Sequence, residues 1–139
     1  MEILDSNFND IQHIGIPVTD LENSKCFYEK LGFKDVMSKT FPHNGQLGNA
    51  MMMKRSQTVV ELYQFPESEL DEIHALKDGR INHVAFGVSD IDEAFNELKG
   101  AGFNIVEDSP VFLDFWEKGC KYFNVLGPEG ERLEFNQIL

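Results

Sequence analysis

The strongest constraint on this 139-residue chain is that it repeats itself once. His13-Ile14-Gly15-Ile16-Pro17-Val18-Thr19-Asp20 lies over His83-Val84-Ala85-Phe86-Gly87-Val88-Ser89-Asp90, 70 positions on. The same offset carries Leu31-Gly32-Phe33 over Ala101-Gly102-Phe103 and Val36 over Val106. Further on, Val60-Glu61-Leu62-Tyr63-Gln64 matches Leu133-Glu134-Phe135-Asn136-Gln137 at an offset of 73, so three extra residues fall in a loop of the second copy. A chain that repeats at this period builds its fold from two copies of one supersecondary unit. Each copy reads as strand, helix, then strands.

Residues 12–18 and 82–88 alternate with the strand period. Thr19 with Glu22, and Ser89 with Asp92, read as capping boxes that start helices. Ile91, Ala94, Phe95 and Leu98 form one helical face, which Leu21, Tyr28 and Leu31 repeat more loosely; Gly32, Gly100 and Gly102 supply stops. Further strands are predicted near 33–39, 47–54, 57–65, 103–108, 119–125 and 131–138. The acidic stretch Pro66–Arg80 reads as a linker, with Leu70, Ile73 and Leu76 spaced for a short helical turn.

In the first strand of each copy, Ile14, Ile16 and Val18, or Val84, Phe86 and Val88, share an apolar face suited to packing under a helix. The other face carries a His beside small residues: His13 with Gly15 and Pro17, His83 with Ala85 and Gly87. Small side chains leave the space a pocket needs. In the last strands, Glu61 and Glu134 oppose apolar neighbours in the same way. Pseudo-twofold pairing of the copies would bring His13, Glu61, His83 and Glu134 together. Two imidazoles and two carboxylates suit a divalent first-row ion such as Ni, Zn, Co, Mn or Fe, and two buried carboxylates without a cation would be costly.

The segments His13–Asp20, Phe27-Tyr28-Glu29-Lys30-Leu31-Gly32-Phe33, Val60-Glu61-Leu62, His83–Asp90 and Gly127-Pro128-Glu129-Gly130-Glu131-Arg132-Leu133-Glu134 resemble the vicinal oxygen chelate superfamily, and within it glyoxalase I (lactoylglutathione lyase). The resemblance spans roughly residues 10–138. It implies an α+β fold: two βαβββ modules, residues 1–66 and 81–139 joined by a linker at 67–80, forming a paired cup-shaped mixed sheet with helices outside. It places His13, Glu61, His83 and Glu134 on the family's four metal positions, with a divalent Ni, Zn, Co or Mn ion. Glu134 becomes the principal base and Glu61 its partner, abstracting a proton beside a metal-polarised carbonyl. A small-molecule carbonyl or thiol-adduct substrate and a homodimer follow from the same resemblance. Alternatives on the fold are a methylmalonyl-CoA epimerase-like isomerase, a ring-cleaving dioxygenase using His13, His83 and Glu134, and a non-catalytic ligand-binding or resistance module. The sequence departs from bacterial glyoxalase I at Pro17 and Phe65, where those enzymes commonly carry an Arg and an Asn that contact glutathione.

Charge narrows the partners. A net −12 argues against nucleic acid or an anionic membrane, both polyanions. No apolar run spans a bilayer and no secretory signal opens the sequence, so a cytoplasmic protein with Cys26 and Cys120 reduced is expected. Met51 and Met53 read as core, and Phe112, Phe115 and Trp116 as a loop cluster near a substrate or an interface. Lys121 and Arg132 are the nearest basic candidates for an anionic substrate. His43 reads as a turn residue, and His74 lies in the linker.

Overall fold

Strand alternation, aspartate caps and a few turn glycines account for the elements in a computed structural model, which describes residues 2–76, 81–128 and 132–139. The chain divides into two compact units: His13–Asn82, called the first, and Met1–Gln12 with His83–Leu139, called the second. Strand β1 (Phe8–Pro17) contributes Phe8–Gln12 to the second and His13–Pro17 to the first.

The first unit continues from β1 through α1 (Leu21–Lys30), β2 (Lys34–His43), β3 (Gln46–Arg55) and β4 (Thr58–Gln64). Its strands lie in the order β2-β3-β4-β1. The β2/β3 and β3/β4 pairs are antiparallel, while β1 and β4 run parallel with Ile14 opposite Val60 and Gly15 opposite Glu61. In the second unit, β5 (His83–Val88) is followed by α3 (Ile91–Gly100), β6 (Val111–Leu113), β7 (Cys120–Leu126) and β8 (Arg132–Ile138). The order here is β5-β8-β7-β6, with the Phe8–Gln12 half of β1 beside β5. The parallel register recurs: Val84 faces Leu133 and Ala85 faces Glu134. Each unit is thus a βαβββ module of an α+β fold.

Alternation sorts the side chains as the sequence predicts. In the first unit Val18, Met51, Met53, Val60 and Leu62 form a core under Ile16, Leu21, Tyr28 and Phe33. In the second, Val88, Ile91, Ala94, Phe95, Leu98, Phe123, Val125 and Phe135 are buried together. Burying each large member contributes roughly 1.5–3 kcal/mol. Leu4 completes this second core, its N–H donating to Glu97 Oε1 at 2.9 Å. Nearby, Asn7 Oδ1 accepts from the N–H groups of Ser89 and Asp90 at 2.8 and 2.7 Å.

Four expectations need adjustment. The helix caps are Asp20 and Asp90, one residue beyond Thr19 and Ser89; their Oδ1 atoms accept from Asn23 N and Glu93 N at 3.0 Å. An ionised carboxylate is the stronger acceptor and also meets the positive end of the helix dipole. Gly32 and Gly102 end the helices at φ +85°, whereas Gly100 is the last helical residue. Residues 103–108 form no strand, only a bridge from Ile105 to Val125. There the Glu107 carboxylate takes the N–H and side-chain amide of Asn124 at 2.6 and 2.9 Å, and Pro110 has no N–H to extend a ladder. Finally, the linker holds a 3₁₀ turn (Glu67–Glu69) and α2 (Leu70–His74), as the spacing of Leu70 and Ile73 allows. Linker residues 77–80 and residues 129–131 of the Gly127–Glu134 segment lie outside the described residues. No helix among the described residues is long and apolar enough to cross a membrane.

Candidate metal and proton-transfer site

Each unit brings together the His of its first strand and the Glu of its last. Parallel pairing sets Gly15 beside Glu61 and Ala85 beside Glu134, so a small residue leaves room next to each carboxylate. The imidazole two residues earlier shares that face. His13 Nε2 stands 3.8 Å from Glu61 Oε1, and His83 Nε2 stands 3.6 Å from Glu134 Oε1. His13, Glu61 and His83 are buried and Glu134 half-buried.

Both separations exceed a hydrogen bond. Two ligands each ~2.1 Å from a first-row ion stand roughly 3.0–3.4 Å apart, so small side-chain adjustments bring either pair into a coordination edge. Imidazole nitrogen with carboxylate oxygen is also the donor chemistry that borderline divalent ions take. By spacing and by donor type, the residues of each unit fit such an ion.

The surroundings of the two carboxylates differ. Across the β3/β4 ladder Glu61 faces Met52, and Tyr63 faces Ala50. Tyr63, Phe65, Phe41 and His43 form an aromatic cluster; His43 and Phe65 have ring centroids 4.4 Å apart, and Tyr63 meets Phe65 edge-on at 5.0 Å. Gly48 admits the Phe41 ring, since a Cβ there would lie 2.5 Å from it. Across the β7/β8 ladder Glu134 faces Asn124, and Asn136 faces Tyr122. Asn136 Nδ2 donates to Glu134 Oε2 at 2.9 Å. Burial, followed by the Glu134 and Glu107 carboxylates, pushes the Tyr122 phenol up to about 12.

Other expectations sort out clearly. Met51 and Met53 are core, while Met52 turns to the Glu61 face. Phe115 is buried, Phe112 exposed, and Trp116 half-buried at φ +65°. Lys121 is half-buried and Arg132 exposed. Cys26 is exposed and Cys120 buried, neither in a disulfide. His43 ends β2 rather than sitting in the turn; its Nε2 meets Glu69 Oε2 at 3.0 Å. Sequence reasoning missed Asn136, Gln12 and the aromatic cluster. Asn136 aligns with Tyr63, so the repeat gave it no matching partner.

A duplicated βαβββ unit with a His–Glu pair in each copy defines a class of paired-module proteins. The chain belongs to the Glyoxalase/Bleomycin resistance protein/Dioxygenase superfamily, matched over residues 10–135. In Bacillus subtilis (strain 168), the uncharacterised protein YwkD is 32% identical over 105 residues, covering 75% of this chain and 78% of that one. The uncharacterised protein YwbC from the same strain is 28% identical over 129 residues, 91% of this chain and 96% of that one. Methylmalonyl-CoA epimerases recur among similar solved structures. The Mycobacterium tuberculosis epimerase aligns with a TM-score of 0.75 at 20% identity, over 95% of this chain and 89% of that one, a likeness of fold.

Proposed function

We propose that His13, Glu61, His83 and Glu134 hold one divalent Ni, Zn, Co or Mn ion, and that the protein is a carbon-acid isomerase of the methylmalonyl-CoA epimerase type. The observation that carries this reading is the recurrence, in each unit, of an imidazole Nε2 within 4 Å of a last-strand carboxylate. When bound, the ion supplies Lewis acidity that makes the carbon next to a carbonyl more acidic and stabilises the resulting negative charge. Glu134 accepts the proton as the principal base. Glu61 returns a proton as the second base, which inversion at carbon requires. The epimerases that share this fold support an isomerase over a lyase. So do Pro17 and Phe65. The Phe65 ring is packed in the aromatic cluster and offers no polar group to glutathione. The reading takes the protein as a cytoplasmic homodimer acting on a small-molecule carbonyl compound.

The test is solvent-deuterium incorporation by protein loaded with each of the four ions. A branched 2-carboxyacyl-CoA ester, glutathione hemithioacetal, and a catechol with Fe(II) are compared. Exchange is expected with the CoA ester, and Glu134→Gln should slow it ~10²–10⁴-fold, the usual contribution of a positioned base. Turnover of the hemithioacetal instead would make the protein a glyoxalase I-type lyase. Oxygen uptake with the catechol would make it a dioxygenase.

A further inference from the structure

Behind Glu134 lies a chain of amides. Asn136 is buried, and both protons of its Nδ2 are directed: one to Glu134 Oε2 at 2.9 Å, the other to Cys120 Sγ at 3.7 Å. Its orientation is set from the other end. Gln12 Nε2 donates to Asn136 Oδ1 at 3.1 Å and to the Asn136 backbone carbonyl at 3.3 Å. A flipped Asn136 amide would set Nδ2 against the Gln12 donor and an oxygen against the carboxylate. Gln12 therefore fixes which end of Asn136 faces Glu134.

We propose that Asn136, held by Gln12, is a positioning residue that anchors Glu134 by Oε2 and so turns Oε1 to the cation. The proposal rests on reading Glu134 as a ligand and base. A carboxylate with one oxygen anchored loses rotational freedom about its terminal bond, so it reaches a cation with less ordering cost. In the first unit the matching residue is Tyr63, which can offer a carboxylate at most one phenolic O–H where Asn136 has two amide protons.

Co²⁺ titration of the metal-free, full-length protein tests this, read by calorimetry and by the visible Co(II) spectrum. Asn136→Ala should weaken binding ~10–100-fold, as the loss of a ligand's supporting hydrogen bond does. It should also change the spectrum at saturation while leaving the stoichiometry intact. Gln12→Ala should move both readouts the same way by less. Gln12 is half-buried, so that variant decides the matter if Asn136→Ala fails to fold by circular dichroism. Wild-type affinity and an unchanged spectrum in the folded variants would overturn the positioning role alone. A wild-type protein that binds no Co²⁺ would overturn the four-ligand reading, and this proposal with it.

Discussion

Glu61 and Glu134 sit at matching positions of a duplicated unit, in the same parallel register and on the same side of their strands, yet their neighbours have diverged. Around Glu61 the ladder neighbours and nearby rings are Met52, Ala50, Tyr63 and Phe65. Around Glu134 they are Asn124, Tyr122 and Asn136. The aromatic residue stands on the opposite strand of the pair: Tyr63 opposes Ala50 where Asn136 opposes Tyr122. The backbone and the His–Glu pair are what the copies share. Duplication supplies two equivalent carboxylates, and substitution around them makes their surroundings inequivalent.

The helices show a second divergence. On α3, Ile91, Ala94, Phe95 and Leu98 are all buried, and Phe95 meets Phe123 edge-on at 5.2 Å. The aligned positions of α1 are Leu21, Ser24, Lys25 and Tyr28, and α1 buries none of its residues. Phe27 and Leu31 are left exposed. This contrast predicts the largest stability difference. In urea unfolding, Phe95→Ala should cost ~3–5 kcal/mol, the usual cavity penalty. Lys25→Ala should stay within ~0.5 kcal/mol, since its 3.9 Å contact with Asp35 is a surface ion pair. A Lys25→Ala loss as large as that of Phe95→Ala would mean that α1 is as firmly packed as α3.

Tyr122 gives the contrast a pH signature. Its phenol ionises near 10.0 in an unfolded chain and about 12 in the folded one. Below pH 10 both states are protonated, so Tyr122 adds nothing to the pH dependence. Between 10 and 12 the unfolded state binds fewer protons, so stability falls as pH rises. Tyr122→Phe should flatten that alkaline decline, measured by melting temperature between pH 9 and 12. An unchanged slope would show that the Tyr122 phenol is not held up by burial and the nearby Glu134 and Glu107 carboxylates.

Much of the architecture was legible because it is written twice. The offset of 70 places β1 and β5, the helices and their glycine stops, and the alternation around His13, Glu61, His83 and Glu134 separates the metal candidates from the core. What escaped is what the copies do not share. The strand expected at 103–108 stops at a bridge: Val106 N–H still pairs with the Asn124 carbonyl, but the Glu107 carboxylate takes the Asn124 N–H and side-chain amide. Asn136 escaped because its role needs Gln12, 124 residues away, to turn its amide. The caps were misplaced by one residue because Thr19-Asp20 and Ser89-Asp90 each offer two candidates, and spacing alone does not rank them.

Gln64 and Gln137 provide the finest test of what duplication preserved. Gln64 Oε1 accepts from Leu21 N and Gln137 Oε1 from Ile91 N, both at 2.9 Å, so each last strand caps the first turn of its own helix. The bonds are the same, but their settings are not: Ile91 is buried and Leu21 half-buried. Removing the acceptor in the first unit leaves an N–H that water can reach, and Gln64→Ala should cost about 0.5–1.5 kcal/mol, a net hydrogen bond. In the second unit the N–H is stranded away from water, and Gln137→Ala should cost more, ~1–3 kcal/mol. Denaturant unfolding of both variants beside wild type reads the difference. Equal losses would show that the two helix starts are equally hydrated, and that the divergence between the copies stops at their side-chain packing.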